Sequence, residues 1–445
     1  MNPRTLALAL MVLAIGACKD LNRPDLNNPT VPEDGAIVNP TRSEISQLAI
    51  GVLIGNRVDL AAHIRDLEII GRDAYNLDNA DPRWVTELLG QSDFDPGGFG
   101  GAHWLARYRN VRNANILLAS LATASTDIFT ADEISAAEGF AKTFKALDLL
   151  YVLETRDALG APVEVNADVD DLAPILCRDA ALTGIAALLD EARTDLNVNS
   201  DLPFELPAGF TGFTNAEGFR QFNRAIRAKT AIYLRDWAGA LTALNQSFLS
   251  TGAPLTRGVY HDFSIAPGDL ANPLFTGNET FRAHPSVVGA AEAGDRRVAA
   301  KVATGELLSA SEEVESDKVF TVYAGPAAPI PIIRNEELIL LRAQANIGLN
   351  NLIAALADIN LIRQSSGGLA PVGPFASQDA AITELLRQKR YSLLFESGSR
   401  WVDARLYNRL GQIPVESATY EVHRQYPIPL DEVNARGGNA TCTNS

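Results

Sequence analysis

Side chains that could do chemistry are sparse in this chain and do not form a catalytic pattern. The sequence contains no phosphate-binding loop, no dinucleotide-binding fingerprint and no nucleophile elbow. Of its five histidines, none lies at the spacing expected of metal ligands. We therefore predict a non-enzymatic protein with no metal and no cofactor, and we expect a binding function instead. The histidines are His63, His103, His261, His284 and His423.

Two segments are rich in side-chain oxygens. Such oxygens can bind hard cations, and carboxylates among them can catalyse the hydrolysis of glycosidic bonds. Residues 76–81 carry four Asn or Asp side chains, but their spacing differs from that of an EF-hand loop. A turn in which these side chains bond their own backbone is therefore expected there. Residues 312–315 carry three glutamates, whereas a glycosidase needs two acids that flank one bond. We interpret this second segment as a solvated acidic face.

Aromatic residues give the clearest indication of a ligand-binding surface. They are only 7% of the chain, yet five large rings fall between Tyr75 and Trp104, mostly in a stretch predicted as loop. Rings beside amide, acid or guanidinium groups suit sugars and peptides, because they offer an apolar face together with hydrogen-bonding partners. The alternative is that these rings fill the space between helices. The candidate ligand-binding residues are Tyr75, Asn76, Asp78, Arg83, Trp84, Phe94 and Phe99.

The first cysteine, Cys18, ends a segment with the features of a bacterial lipoprotein signal. Arg4 precedes an apolar run that is too short to span a bilayer, and small residues stand directly before the cysteine. We predict that residues 1–17 are a signal peptide and that Cys18 is acylated, since several acyl chains together anchor a protein stably. The alternative is an ordinary signal peptide with an incidental cysteine. Residues 18–40, rich in Pro, Asn and Asp, would then be a lipidated tether.

Cys177 and Cys442 are then the only thiols left in an oxidising compartment. We predict that they form a disulfide, which would tie the C-terminal end of the chain to its middle. The alternative is one buried and one free cysteine.

Length and composition are those of a globular protein. The chain has 445 residues, of which 47% are hydrophobic, enough for a large core. Its formal net charge of −16 is opposite in sign to that needed to hold phosphates. We therefore expect no nucleic-acid partner.

The element around which the chain is organised is a predicted helical hairpin from Arg334 to Gly368. Its first helix has Asn335 as the expected cap and an apolar stripe that includes Leu338 and Leu341. A hairpin of this kind is typical of tetratricopeptide repeats, which bury their apolar faces only by stacking on one another. After a break, the second helix carries its stripe at Leu352, Ala355, Leu356, Ile359 and Ile362.

Capping boxes mark the start of three more helices, at Thr41–Glu44, Thr130–Glu133 and Thr214–Glu217. Counting the amphipathic segments gives about four helix pairs, enough to stack into a continuous core. We therefore predict a mainly α protein, a tetratricopeptide-like array of helical hairpins in a single domain over residues 41–445. Long irregular loops and short β segments interrupt it as insertions at about 75–101 and 251–333.

Two segments resemble those of a known family. ELILLRAQANI followed by ADINLIRQSSGG, within Glu337–Gly368, is similar to the alanine-rich helix and its Asn-x-x-Arg end in SusD/RagB proteins. FESGSRWVDARLYNRLG, from Phe395 to Gly411, is similar to the Phe-Glu-Gly-x-Arg-Trp segment of the same family. The spacing of Glu396, Arg400 and Asp403 would bring these three side chains to one helical face.

The chain departs from the family pattern at two points. Gln388 and Ser392 stand where the family usually has acids, and the stretch between Phe-Glu and Arg-Trp is one residue longer. These departures indicate a divergent branch, and they weaken the transfer of ligand specificity more than that of the fold.

The resemblance implies a SusD-like fold and a function to match. Members are surface-exposed outer-membrane lipoproteins without enzymatic activity, which bind an oligomeric nutrient and deliver it to a TonB-dependent, SusC-like β-barrel transporter. A glycan is the favoured ligand, and a peptide is the second choice.

Two other functions stay open. A periplasm-facing tetratricopeptide-type scaffold would bind only protein and would lack an aromatic platform. A secreted hydrolase would have two acids about 5–10 Å apart in one cleft.

Overall fold

Helices form most of the chain in the computed structural model, which describes residues 36–165, 171–277, 279–311 and 313–444. The predicted signal peptide, the predicted lipidation site Cys18 and most of the predicted tether lie outside the described residues. The helices are α1 (Arg42–Val58), α2 (Leu60–Ile70), α3 (Arg83–Thr86), α4 (Leu105–Leu121), α5 (Ala131–Arg156), α6 (Arg178–Asp195), α7 (Ala216–Leu234), α8 (Trp237–Asn245), α9 (Pro273–Thr276), α10 (Pro285–Gly289), α11 (Arg296–Lys301), α12 (Asn335–Gly348), α13 (Leu352–Ile362), α14 (Gln378–Ser392), α15 (Ser399–Leu406) and α16 (Leu430–Ala435). The strands are β1 (Ala74–Asn76), β2 (Ala161–Pro162), β3 (Ile175–Leu176), β4 (Gly258–His261), β5 (Phe281–Ala283), β6 (Val302–Ser311), β7 (Val314–Phe320) and β8 (Ile330–Arg334).

The long helices pack in chain order. α4 packs on α1 and α5, α6 on α5 and α7, and α8 on α7, while α12 contacts α8, α13 and α14. One large hydrophobic core runs through the array, and a second, smaller core lies between α12, α13 and α14. The predicted mainly α, tetratricopeptide-like architecture is thereby confirmed.

The stretch Arg42–Ile70 is long and apolar enough to cross a membrane by length and composition. In the structure it is two helices, α1 and α2, that meet at Asp59. Leu53, Leu60 and Leu67 on these helices are buried in the main core. We therefore interpret the stretch as part of the globular body.

Two of the three predicted capping boxes are confirmed. The hydroxyls of Thr41 and Thr130 each accept a hydrogen bond from the backbone N–H three residues on, and the glutamate there accepts one from the backbone N–H of the cap residue. The third prediction is wrong in detail, because Asn215 rather than Thr214 caps α7. The Asn215 side chain accepts a hydrogen bond from Gly218 N.

The hairpin α12–α13 lies where the sequence predicts it, but Asn335 is not its cap. Arg334 is the N-cap residue, and Asn335 is the first residue of the helix. The Asn335 side chain instead accepts a hydrogen bond from Ser250 N (2.9 Å) and donates one to Ser250 O (2.7 Å). It thereby fastens the start of α12 to the segment that follows α8.

The two insertions are joined by short antiparallel strands. β1, at the edge of the first insertion, pairs with β5 in the second. Within the second insertion β6 and β7 form a hairpin, and β4 pairs with β8, which leads directly into α12. The second insertion, predicted to be irregular, therefore supplies the strand pair β4–β8, which fixes where the hairpin α12–α13 begins.

Glu396, Arg400 and Asp403 do not share a helical face, which corrects the prediction from their spacing. Phe395 and Gly398 both have positive φ, so α15 begins only at Ser399 and Glu396 lies outside it. Each side chain has its own partner: Glu396 pairs with Lys301 and Arg334, Arg400 with Asp73, and Asp403 with the buried Lys389. The segment thus ties together four separate parts of the fold.

Several histidines are buried in a neutral state. Burial lowers the pKa of His63 to about 4 and the pKa values of His261 and His284 to about 3. In the unfolded chain a histidine binds its proton near pH 6.5. Below that pH the unfolded state therefore binds protons that the folded state does not, and stability is lost as pH falls from 6.5 through the folded pKa.

Asp148 and His103 act in the opposite sense. Burial raises the pKa of Asp148 to about 6, so the folded state takes up this proton before the unfolded state does. Its contribution to the free energy of unfolding therefore grows as pH falls. The carboxylates of Asp59 and Asp66 raise the pKa of His103 against its burial, so its contribution is fully present below pH 6.5 and is lost at higher pH. Glu68, whose pKa burial raises well above its ordinary value, acts in the same sense as Asp148. Three histidines lose stability over the whole range from pH 6.5 to pH 4, so their combined loss exceeds what these two carboxyl groups return.

We therefore expect the free energy of unfolding to fall by several kcal/mol, as an order of magnitude, between pH 6.5 and pH 4. Urea unfolding at a series of pH values in this range measures the fall. A His261→Gln variant, which keeps a donor for Asn56, should lose less stability over the same range. A flat profile, or equal slopes for the two proteins, would contradict this assignment.

Candidate functional site

Three of the predicted ligand-binding residues are buried, so their prediction as ligand contacts is corrected. Tyr75, Asn76 and Phe94 are 3%, 5% and 9% exposed. The Tyr75 hydroxyl donates a hydrogen bond to Glu416 (3.1 Å), and the Phe94 ring stacks on Tyr426. For these residues the alternative is correct, since they fill space between helices and loops.

The oxygen-rich turn that contains Asp78 bonds its own backbone, as predicted. The side chains of Asn76, Asp78 and Asp81 each accept a hydrogen bond from the backbone N–H two residues on. These oxygens are engaged in successive turns of the loop.

Trp84, Phe99 and Arg83 are brought together at the surface. The Trp84 and Phe99 rings are 4.7 Å apart, and both are half-buried. The Arg65 guanidinium lies over Trp84 at 4.3 Å and that of Arg83 over Phe99 at 4.5 Å. These cation–π contacts cover ring faces that a sugar would need, so a ligand would have to displace the exposed Arg83 to stack there.

A cleft of about 470 Å³ adjoins this ring pair through the loop at 96–101. Trp104, Leu105 and Tyr108, around the first turn of α4, form an apolar wall in which the two aromatic rings lie 4.8 Å apart. Other walls come from the segment around β2 and from α16. The volume falls within the roughly 300–1,000 Å³ range of small-ligand sites. We call this the Trp104 cleft.

Charged side chains lie at the edge of the Trp104 cleft, beside its apolar wall. Arg112 and Asp431 are exposed there. Arg436 is held in place, since it donates hydrogen bonds to Glu432 Oε1 (2.8 Å) and to the Ala173 carbonyl (2.8 Å). An apolar wall with a few hydrogen-bonding groups around it can take a sugar ring or a short peptide.

Buried contacts hold the wall of the Trp104 cleft in position. Arg156, fully buried at the end of α5, donates to the Ala102 carbonyl (2.8 Å), and its guanidinium lies 5.4 Å from the Trp104 ring. Burial lowers the pKa of Arg156 to about 10. The Tyr108 hydroxyl donates to the Pro162 carbonyl (2.8 Å). At Gly100 a Cβ atom would lie only 2.7 Å from the Asp95 carbonyl oxygen, so the close turn of the loop requires glycine.

Sequence reasoning found only the edge of this site. Trp104 belongs to the aromatic cluster seen in the sequence, but Leu105, Tyr108 and the residues of α16 carried no signal of a ligand site. α16 lies more than 300 residues after Trp104 in the chain, and only the packing brings the two together.

Two of the five histidines, His63 and His103, lie close together although their spacing in the sequence shows no metal pattern. Ligand atoms of Asp59, His63 and His103 lie within 4.8 Å of one another. Both ring nitrogens of His103 are already engaged, by Asp59 (2.9 Å) and Asp66 (3.0 Å), and His63 Nε2 is 3.0 Å from Glu154. This arrangement is a buried hydrogen-bonded network that ties α2 to the loop before α4 and to α5.

Cys177 and Cys442 are joined by a disulfide across a sequence separation of 265. Backbone hydrogen bonds flank the bridge, from Cys177 N to Thr443 O (2.7 Å) and from Thr443 N to Ile175 O (2.8 Å). The C-terminal segment is thereby fixed beside the start of α6.

Comparison with solved structures identifies the fold. A SusD-like carbohydrate-binding protein from Bacteroides vulgatus superposes with a TM-score of 0.69 at 16% identity, over 91% of this chain and 98% of its own. The chain has the SusD fold. A SusD-like carbohydrate-binding protein from Bacteroides fragilis gives a TM-score of 0.68 at 12% identity, over 89% of this chain and 98% of its own. A SusD superfamily protein from Bacteroides vulgatus gives 0.66 at 13% identity, over 92% and 99%.

The SusD fold is thus shared over nearly the whole described chain, although the sequence has diverged far. No family model matches this sequence, and no curated protein matches it either. The SusD-like part of the predicted fold class is therefore confirmed by structure alone.

Proposed function

We propose that this protein is a SusD/RagB-type lipoprotein of the outer membrane. It binds an oligosaccharide at the cell surface without chemical change and passes it to a TonB-dependent, SusC-like β-barrel. The observation that carries the proposal is the SusD fold over nine-tenths of the chain, shared with two solved structures described as carbohydrate-binding. The Trp104 cleft supports it with a site of suitable size and chemistry.

The Trp104 cleft is the proposed primary ligand site, and the Trp84–Phe99 pair is its outer rim. The predicted contacts Arg83, Trp84, Phe99 and Asp78 keep their place in the proposal as rim residues, since all four are at least partly exposed. A peptide remains the second ligand class, because the same wall and charged edge accept either.

A matched pair of variants tests the ligand site. Leu105, 59% exposed in the cleft, is the first residue of α4, and Ile353, 85% exposed, lies in the first turn of α13. An aspartate is tolerated in the first turn of a helix, so both proteins should fold. We expect Leu105→Asp to weaken oligosaccharide binding about tenfold or more, because the apolar wall is lost, and Ile353→Asp to leave it unchanged.

Binding is measured by calorimetry against oligosaccharides and peptides selected from an array screen. Selective loss in Leu105→Asp supports the cleft, and the class of the bound compounds then decides between glycan and peptide. If neither class binds, or if both variants behave alike, the proposed site is wrong.

The lipid anchor is tested at Cys18. We expect labelled palmitate to enter the wild-type protein and a Cys442→Ser control, and to be absent from Cys18→Ala. Cys18→Ala should also move from the membrane fraction to the soluble fraction, since the acyl chains supply the attachment. Label in Cys18→Ala, or membrane association without label, would contradict the anchor.

Delivery to a transporter is tested by a mild-detergent pull-down of the lipidated protein from native outer membranes. A stoichiometric TonB-dependent barrel supports the proposal. Soluble periplasmic proteins in its place would favour the tetratricopeptide-type scaffold.

A further inference from the structure

A second cleft, of about 300 Å³, lies beside the disulfide and shares no lining residue with the Trp104 cleft. It is formed where the end of α5, the start of α6, the end of α7 and α15 meet. Four arginines line it, in a protein whose formal net charge is −16. We call it the arginine cleft, and its arginines are Arg178, Arg235, Arg405 and Arg424.

Three of these guanidinium groups surround a single carboxylate. Asp157 Oδ1 lies 3.0 Å from Arg178 Nε and 3.4 Å from Arg405 Nε, and Asp157 Oδ2 lies 3.7 Å from Arg424 Nη2. The distances to Arg405 and Arg424 exceed those of a normal charge-assisted hydrogen bond. One carboxylate therefore does not satisfy the positive charge around it.

The remaining carboxylates of the arginine cleft do not balance the charge. Asp179 is 2.5 Å from Arg178 and is 78% exposed. Glu154 is already paired with Lys229 at 3.1 Å. Within the described residues, Arg235 has no ion pair, and its guanidinium donates to the Leu406 carbonyl. The lining of the cleft thus has four positively charged guanidinium groups, and the carboxylates left to balance them are those of Asp157 and Asp179.

The excess of positive charge in the arginine cleft affects the buried side chain of Arg405. Its side chain is 5% exposed, and its two Nη atoms donate to the carbonyls of Arg424 (3.0 Å) and Glu154 (2.7 Å). Burial lowers the pKa of Arg405. By contrast, Glu396 and Glu336 raise the pKa of the equally buried Arg334. Arg405 is therefore a buried cation that is held in place by dipoles and lacks a full counter-charge.

The backbone adds to the positive potential of the arginine cleft. α6 begins at Arg178 with Cys177 as its N-cap residue, and the Cys177 side chain makes no capping hydrogen bond. The start of a helix carries partial positive charge. Asp157 is held at φ +43°, a conformation that non-glycine residues rarely adopt. Such strain concentrates at binding and catalytic sites.

We propose that the arginine cleft binds a small oxyanion, the carboxylate of an acidic sugar or a free inorganic anion. The planar fork of a guanidinium matches the oxygens of carboxylate and sulfate alike. The cleft has room for one such group with a single attached sugar ring. Arg424, 63% exposed at the mouth, closes over the anion, and Arg405 fixes the floor. This proposal does not depend on the proposed glycan-uptake function.

Calorimetry on the full chain at low ionic strength tests the proposal, with D-glucuronate, sulfate and glucose as probes. We expect saturable binding of glucuronate or sulfate, none of glucose, and weakening as chloride salt is raised. Binding of glucuronate alone identifies an acidic sugar as the ligand, and equal binding of both anions identifies a free anion. Absence of saturable binding for both anions overturns the proposal.

Three variants locate the site. Arg424→Gln removes an exposed group whose one ion pair among the described residues is long, at 3.7 Å, and we expect it to fold normally and to weaken anion binding about tenfold. Asp157→Asn removes the competing carboxylate and should tighten binding, which a merely structural role for Asp157 would not do. Arg387→Gln, on α14 and 47% exposed, is the matched control. Unchanged affinity in Arg424→Gln, or equal loss in Arg387→Gln, overturns the assignment.

Discussion

Replacing Asp148 with alanine should lower the free energy of unfolding by about 3–5 kcal/mol, the usual cost of leaving a buried charge without its partner. Asp148 is fully buried on α5 and accepts hydrogen bonds from Asn56 (2.8 Å), Arg107 (3.0 Å) and Asn110 (2.6 Å). These donors lie on α1 and α4, so one carboxylate ties three helices together. Its removal leaves the buried Arg107 guanidinium with Asp59, at 3.3 Å, as its one charged partner among the described residues.

Urea unfolding of Asp148→Ala measures this loss. Asp132→Ala provides the matched control, because Asp132 is exposed in the first turn of the same helix and its removal should cost about 0.5 kcal/mol or less. Adding Arg107→Met to Asp148→Ala should recover part of the loss, because the unpaired charge is then removed too. A double variant as unstable as the sum of the two single variants would show that Arg107 and Asp148 do not act as a pair.

Breaking the disulfide is the second large effect. We expect reduction, or the Cys177→Ser/Cys442→Ser variant, to lower the free energy of unfolding by about 2–5 kcal/mol, because the bridge restricts a long loop in the unfolded chain. The two cysteines are 265 positions apart, and backbone hydrogen bonds of Thr443 with Cys177 and Ile175 hold the C-terminal segment at the same point. The same change should loosen the arginine cleft, which Cys177 and Asn444 line.

Urea unfolding with and without reductant measures the contribution of the bridge. The urea midpoint of the wild-type protein should fall on reduction. The double serine variant should have this lower midpoint from the start, and the reductant should not change it. Identical midpoints for wild type in both conditions would mean that the bridge restricts no chain conformations that matter for stability.

Local signals carried most of the helix prediction. The capping boxes at Thr41 and Thr130 are correct because a cap depends on residues within one turn. At Thr214 the pattern is present as well, but Asn215 caps the helix. The Asn side chain one position later satisfies the same orphan N–H groups, so the motif fixes the start of a helix only to within a residue.

The segment from Phe395 to Asp403 shows where spacing alone fails. A continuous helix would align Glu396, Arg400 and Asp403, but positive φ at Phe395 and Gly398 starts the helix later. Each side chain is then free to pair with a different element of the fold. The extra residue relative to the family pattern is the sequence feature that matches this break.

The sequence by itself determined the repeating helices, the mainly α class and the cluster of aromatic residues between Tyr75 and Trp104, because these depend on periodicity, caps and composition. Only the tertiary structure decided which rings are reachable: Tyr75 and Phe94 are buried, whereas Trp84 and Phe99 stay at the surface beneath arginines. It also decided where clefts lie, since Trp104 meets α16, and Arg178 meets Arg424, across long stretches of chain. The physical reason is that accessibility and charge balance are properties of packed neighbours, which no local pattern encodes.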